Sequence, residues 1–268
     1  MAKVFNPIFS FSPIKKSVVW GWYQCLSALD KEANMTFMNY GYADLNSHHT
    51  ELELLPEDRA NRYCIQLYQR VAGGVDLRGK DLLEIGSGRG GGSSFIMRYL
   101  GPGSMTGVDL SSKAVAFCNR HYRHAGLSFQ QASAEKLPFP ADSFDAVINV
   151  ESSHCYNSVP DFLREVVRVM RPAGHFLFAD LRPREEVALL REQLGAAGLR
   201  ILEEEQIGSN VVRALDLDSE RKTALIRTTI PKLLRERFLK FAGTKGSPVY
   251  KLFESGEWQY LRFVMQKS

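Results

Sequence analysis

The sequence predicts an α/β fold: a mostly parallel seven-stranded sheet with helices on both faces. Two patterns predict it. From Lys80 onward, short apolar runs of strand length alternate with helical stretches, the rhythm of βαβ units. A glycine-rich loop, LLEIGSGRGGGSS at residues 82–94, lies where the first strand gives way to a helix. Composition agrees. With 268 residues, 44% hydrophobic and 24% charged, the chain can bury a core without metal or disulfide staples, and dominant disorder is excluded.

The elements follow in order. Pro56 opens a helical stretch in which Ala60, Cys64, Leu67 and Val71 recur at three- and four-residue spacing, and Gly73-Gly74 ends it. Residues 81–85 read as a buried strand and 93–100 as the helix after the glycine loop. A strand over 105–110 precedes a helix over 111–123, with Ser111 or Ser112 as N-cap. Strands over 127–132 and 146–150 come next, then a helix over 160–170 closed by Arg171-Pro172-Ala173-Gly174. A strand over 176–180, a helix over 185–197 and a strand over 199–205 follow. Residues 208–242 read as mostly helical, with Pro231 near a helix start, and WQYLRFVM at 258–265 alternates as a last strand.

This divides the chain into an N-terminal helical lid (1–55), an α/β core (56–207), a helical cap insertion (208–255) and a closing strand of the core sheet (256–268). The insertion is expected at one end of the sheet, near whatever the strand tips bind.

Several function classes are disfavoured. A net charge of +4, from 34 basic and 30 acidic residues, is too balanced to imply a nucleic-acid partner. No apolar run is long enough for a transmembrane helix. Asn6, Pro7, Ser10, Ser12 and Pro13 interrupt the N-terminus, so a secretory signal is not expected. Cys25, Cys64, Cys118 and Cys155 form no CxxC pair, which points to a reducing cytoplasm. Neither the adjacent His48-His49 nor the His121/His124 pair has the companions of a metal site, and His175 reads as structural.

Glycines after a strand let the backbone turn sharply and approach a ligand, and the next helix N-terminus offers unpaired N–H groups. Gly86, Gly88 and Gly91 also fit GxGxxG, so the loop alone leaves a dinucleotide site open. Asp109 ends the next strand, where a carboxylate can accept hydrogen bonds from both hydroxyls of a ribose, or cap the following helix.

Five motifs stand in order along the chain: EIGSGRG at 84–90, GVDLS at 107–111, AEKLPF at 134–139, SFDAV at 143–147, and LRE with VMRPAG at 163–165 and 169–174. With this series the chain resembles a class I S-adenosylmethionine-dependent methyltransferase. The resemblance implies a Rossmann-like fold binding S-adenosylmethionine and releasing S-adenosylhomocysteine. It implies that Glu84 steers the glycine loop and contacts the methionine end, while Gly86 and Gly88 pass beneath that end. Asp109 would hold the ribose diol, Leu110 pack on the adenine, and the Ala134 N–H read an adenine nitrogen. Ser133 stands where many relatives carry an aspartate that binds the adenine amino group. Tyr40, Ser87, Glu135 and Asn149 complete the cofactor candidates. A closer likeness, carried by NYGY at 39–42, NVESSHCY at 149–156 and FLFADLRP at 176–183, is to bacterial methyltransferases of phthiotriol and phenolphthiotriol lipids. More broadly it is to natural-product O-methyltransferases of polyketide and sugar hydroxyls.

An alcohol is a poor nucleophile until a base takes its proton. His154 follows the fourth strand and is the candidate base; Asp180 ends the next strand and is its candidate partner, as in related O-methyltransferases. The bland readings are a structural loop histidine and an aspartate paired with Arg182 or Arg184. Trp20, Tyr42, Glu151 and Tyr156 are the candidate acceptor contacts; Glu151, one turn from His154, reads equally as a cofactor contact, an orienting group or a buried hydrogen-bonding residue. The aromatics of residues 5–22, with Lys15 and Lys16, suit an apolar acceptor, contact with a membrane surface, or plain packing of a helix. The expected partner is therefore a small, apolar, hydroxylated molecule; a homodimer is compatible with this. Two alternatives stay open: an N- or C-methyltransferase, and a nicotinamide-dependent oxidoreductase or non-catalytic cofactor-binding protein.

Overall fold

The computed structural model describes residues 33, 35–45 and 52–268. Trp20, the aromatic run at 5–22, Lys15, Lys16, Cys25 and His48-His49 lie outside the described residues.

Seven strands form one sheet: β1 Asp81–Ile85, β2 Ser104–Asp109, β3 Leu127–Gln131, β4 Phe144–Val150, β5 Met170–Pro183, β6 Leu199–Gln206 and β7 Trp258–Lys267. Their spatial order is β3-β2-β1-β4-β5-β7-β6. The pairs from β3 to β5 are parallel, and β7 is inserted antiparallel to both β5 and β6. The order reverses at β1, whose two neighbours continue in opposite directions; ligands of such sheets bind outside the carboxyl ends at that point.

The helices are α1 Arg62–Ala72, α2 Gly91–Tyr99, α3 Ser112–His121, α4 Val159–Val169, α5 Val187–Ala196, α6 Gly208–Thr229, α7 Lys232–Phe241 and α8 Pro248–Glu254, with a 3-10 turn at Pro56–Asn61 leading into α1. Period-two alternation along the strands feeds two cores. On β5, Leu177, Ala179 and Leu181 meet α1, α2, α6 and α8 on one face. Phe176 and Phe178 meet α4 and α5 on the other. Ser111 caps α3, accepting from the Ala114 N–H at 3.2 Å. Ser158 caps α4 and Ser247 caps α8 in the same way.

One strand differs from the sequence reading, and the 208–242 stretch follows it, with a helix starting after Pro231. The strand expected at 176–180 runs Met170–Pro183. Its register with β4 shifts between Phe144 and Ala146, and Ala173 takes a left-handed φ of 60°, so the Arg171–Gly174 stretch joins the strand as an irregularity. At its far end, pairing with β7 continues to Pro183↔Trp258, beyond the apolar run that marked the strand in sequence. The stretch 208–242 is two helices, α6 and α7, divided at Ile230-Pro231, where a proline cannot continue the ladder. With α8 they lie between β6 and β7.

Phe176 is fully buried, with ring centroids 6.0 Å from Phe162 and 5.4 Å from Phe178. Phe176→Ala is expected to lower stability by about 3–5 kcal/mol, read as a reduced urea midpoint with an unchanged slope.

Candidate active site

The site is assembled at the carboxyl edge of β1, β2 and β4. After β1 the chain turns through Gly86, where φ is +77°, and the N–H groups of Gly86 and Ser87 donate to the Val108 carbonyl at 2.8 and 3.0 Å. A Cβ at Gly86 would lie 2.3 Å from Ser152 Oγ, so glycine is required both by the turn and by the close approach of the chain after β4. Asn149, fully buried on β4, supports the loop from behind. Its Nδ2 lies 2.8 Å from the Ile85 carbonyl oxygen, 2.8 Å from Ser152 Oγ and 2.9 Å from Tyr156 Oη, within reach of all three for its two N–H groups. At the tip of β2, Asp109 Oδ2 accepts from the Gly88 N–H at 2.9 Å and Oδ1 from the Ser111 N–H at 2.8 Å. Burial raises its pKa, against the pull of those two bonds.

A cavity of about 680 Å³ opens over these groups. Of the candidate residues, Gly86, Ser87, Gly88, Asp109, Leu110, Ser133, Ala134, Glu135, Glu151 and Tyr156 line it. Leu110 is 55% exposed beside Asp109, an apolar platform next to a carboxylate. Ser133 Oγ and Glu135 Oε2 lie 3.3 Å apart, while Glu135 Oε1 accepts from the N–H groups of Asn157 and Ser158 at 2.6 and 2.9 Å. Glu135 thereby ties the loop after β3 to the start of α4.

Other candidates stand behind the wall. Glu84 is fully buried and does not line the cavity. Its Oε1 accepts from the Tyr68 hydroxyl at 2.6 Å and its Oε2 from the Ser93 hydroxyl. Burial pushes its carboxyl up to about 7 against those two bonds. Tyr40 donates its backbone N–H to Glu151 Oε2 at 2.9 Å and its hydroxyl to the Phe241 carbonyl at 3.2 Å, and its ring meets Phe253 edge-on at 5.2 Å. Neither Tyr40 nor Tyr42 lines the cavity; the Tyr42 hydroxyl donates to Asp44 at 3.2 Å.

His154 and Asp180 come together. The His154 ring lies with Nδ1 2.7 Å from Asp180 Oδ1, and Asp180 is fully buried. Asp180 Oδ2 also accepts from the Ser153 hydroxyl at 2.5 Å and the His154 N–H at 2.9 Å, and Arg182 stands 3.1 Å away. Burial alone would raise the Asp180 carboxyl; His154 and Arg182 overcome it and hold it well below the usual carboxylate range. Burial alone would likewise lower the His154 pKa, but Cys155 and Asp180 hold it well above the usual histidine value. His154 does not line the large cavity. It lines a neighbouring one of about 280 Å³, and the two spaces share Tyr156 and Asn157 as a wall.

The structure adds residues that carried no signal in sequence. Tyr68 of α1 read only as part of a helical stretch, yet it lines the cavity and holds Glu84; a Cβ at Gly92 would lie 2.0 Å from its ring. Arg89, stacked 3.8 Å over the Phe117 ring, and Cys155 also line it. So does a strap over residues 36–39. Among the described residues no group of three or more His, Cys, Asp or Glu could hold a metal, and no helix is long and apolar enough to cross a membrane.

This cavity fits an adenosyl sulfonium cofactor: a glycine loop at its foot with left-handed turns at Gly86 and Gly88, a ribose-type carboxylate at the β2 tip, and an apolar platform beside it. Comparison with known proteins agrees. A family model described as a methyltransferase domain matches residues 83–178. The chain is 39% identical over 250 residues to the phthiotriol/phenolphthiotriol dimycocerosates methyltransferase of Mycobacterium tuberculosis, covering 93% of this chain and 92% of that one. It is 41% identical over 211 residues to a fatty-acid O-methyltransferase of Mycolicibacterium smegmatis, covering 79% and 76%. Among solved structures, the [4+2]-cyclase SpnF shares the fold with a TM-score of 0.70 at 20% identity, over 94% of this chain and 95% of that one. The geranyl diphosphate C-methyltransferase of Streptomyces coelicolor, solved with S-adenosyl-L-homocysteine, does so with a TM-score of 0.62 at 15% identity, over 92% and 98%. The nicotinamide reading left open by GxGxxG falls against these matches. The chain belongs to the S-adenosylmethionine-dependent methyltransferase family that includes the phthiotriol/phenolphthiotriol dimycocerosates methyltransferases.

Proposed function

We propose that the protein methylates a hydroxyl oxygen of a small, lipid-like or polyketide-like molecule, with His154 as general base. One observation carries this reading: an imidazole at the carboxyl edge of the sheet, paired through Nδ1 at 2.7 Å with a buried carboxylate. The relatives' names carry a triol and a phenol, which support a hydroxyl acceptor, and a fatty acid, which supports only its lipid-like character.

The chemistry follows from the pair. Bound S-adenosylmethionine supplies an electrophilic methyl group on a sulfonium. The acceptor oxygen must approach that carbon in line and lose its proton as the new C–O bond forms and the S–CH₃ bond breaks, its electron pair leaving with neutral S-adenosylhomocysteine. Asp180, ionised, accepts the Nδ1–H of His154 and so leaves Nε2 as the proton-accepting nitrogen. As the proton arrives, Asp180 stabilises the imidazolium beside it. Arg182 and Ser153 keep Asp180 in place and charged. The glycine loop and Asp109 fix the donor end, so that most of the remaining work is orientation and exclusion of water.

Transfer of labelled methyl from S-adenosylmethionine to a panel of long-chain alcohols, phenolic lipids and fatty acids tests this. On a hydroxyl acceptor, His154→Ala is expected to cut turnover by about 10²–10⁴-fold with cofactor affinity preserved. A fatty acid is already ionised near neutral pH. If carboxylates are the true acceptors, the same variant leaves the rate close to wild type, and that result rejects His154 as base.

The pH dependence has a sign. The base works when neutral, and Cys155 and Asp180 hold its pKa above the ordinary histidine value. On a hydroxyl acceptor, kcat/KM is expected to rise with pH through an apparent pKa above about 6.5. Asp180→Asn removes the facing anion, so the limb moves to lower pH while the plateau falls. A wild-type profile flat from neutral to alkaline pH contradicts the assignment.

A further inference from the structure

The methionine end of the cofactor carries a positively charged α-ammonium, and the cost of taking a cation out of water is best offset by an acceptor of opposite charge. Glu84 is the residue that family resemblance assigns there, but both of its oxygens are taken by Tyr68 and Ser93 inside the protein and it does not line the cavity. Asp109 and Glu135 do line it, yet each of their four oxygens already meets a donor of the protein.

Glu151 differs. It follows β4 directly and lines the cavity together with Gly86 and the 36–39 strap. Its Oε2 accepts twice, from the Tyr40 N–H at 2.9 Å and the Tyr260 hydroxyl at 2.9 Å. Its Oε1 accepts from none of the described residues and is not among their enclosed, unpartnered oxygens, so it is open to the cavity. The backbone is left-handed at this non-glycine residue, with φ at +51°, a conformation that persists only where surrounding contacts impose it. The next residue, Ser152, abuts the glycine loop where a Gly86 Cβ would be. The carboxylate is thus fixed in orientation, with one oxygen presented beside Gly86.

We propose that Glu151 is the carboxylate partner of the α-ammonium group at the methionine end of S-adenosylmethionine. The anchoring on Oε2 pre-sets the group, so that the cation meets an acceptor already in place. Burial pushes this carboxyl up to about 7, against the Tyr40 N–H, His154 and Tyr260; a cation at Oε1 relieves that cost. The same carboxylate holds the strap to the sheet, since Tyr40 leads out of residues 36–39 and β7 supplies Tyr260. This inference rests on the cofactor and is independent of which acceptor is methylated.

Glu151→Gln is a near-isosteric test. The amide oxygen can keep both anchors while an NH₂ replaces the oxygen that faces the cavity, turning an acceptor into a donor. Calorimetry with three probes reads the result: S-adenosylmethionine, S-adenosylhomocysteine, which keeps the ammonium without the sulfonium, and 5′-methylthioadenosine, which has neither. The expected outcome is at least a tenfold loss of affinity for the first two with methylthioadenosine unchanged. Loss for S-adenosylmethionine alone overturns the ammonium assignment in favour of the sulfonium. Equal loss for all three, or no loss for any, overturns it outright, as does a selective loss in Glu84→Gln with none in Glu151→Gln. Should Glu151→Gln fail to fold, Glu151→Asp, which withdraws the carboxylate by one methylene, is read against the same three probes with the same criteria. Because every readout is binding, failure here leaves the His154 reading standing, and failure of that reading leaves this one standing.

Discussion

The reversal of strand order at β1 is the constraint from which the site follows. With β2 on one side and β4 on the other, the connections leaving the two edges diverge, and a crevice is left at their carboxyl ends. The chain must cross that crevice twice in close contact, once as the glycine loop after β1 and once as the segment after β4. Gly86 and Ser152 meet there at a distance that excludes any side chain on the first. Asn149 braces both, bonding the end of β1, Ser152 and Tyr156 from one amide. Asp109, Glu151 and the cavity between them owe their positions to this crossing.

Two carboxylates near the ends of adjacent strands illustrate how environment divides roles. Asp180 on β5 and Glu151 after β4 are both removed from bulk water, yet their protonation is driven in opposite directions. Asp180 is surrounded by donors, with the Arg182 guanidinium and the His154 imidazole beside it, and stays ionised. Glu151 has two neutral donors on one oxygen and stands near neutrality in its proton balance, at about 7. The first suits a permanent anion that orients a base; the second suits a group whose charge is completed by what binds.

The fold likeness to SpnF, a [4+2]-cyclase, sets the limit of arguing from architecture. A shared fold serves different chemistry, which is set by the groups near the strand ends and by the segments that cover them. Here those are the 36–39 strap, the chain after β4 and the helices between β6 and β7. The buried Glu84–Tyr68–Ser93 cluster joins β1 to α1 and α2 under the loop.

Much of this was determined by the sequence alone. Local signals marked β1 with the same bounds the structure has, the Ser111 cap, the glycine loop and the carboxylate at the tip of β2, because period-two burial, capping and left-handed turns are properties of contiguous residues. The meeting of His154 with Asp180 was legible as well, since His154 follows β4 and Asp180 lies on the neighbouring strand β5. Only the tertiary structure decided which polar groups face the cavity. Tyr68, sixteen positions before Glu84, encloses that carboxylate, whereas Glu151 is turned outward by donors from Tyr40 and Tyr260, each more than a hundred residues away. Whether a buried carboxylate is sealed or open depends on which distant donors reach its two oxygens, and that is a matter of packing which no local pattern encodes.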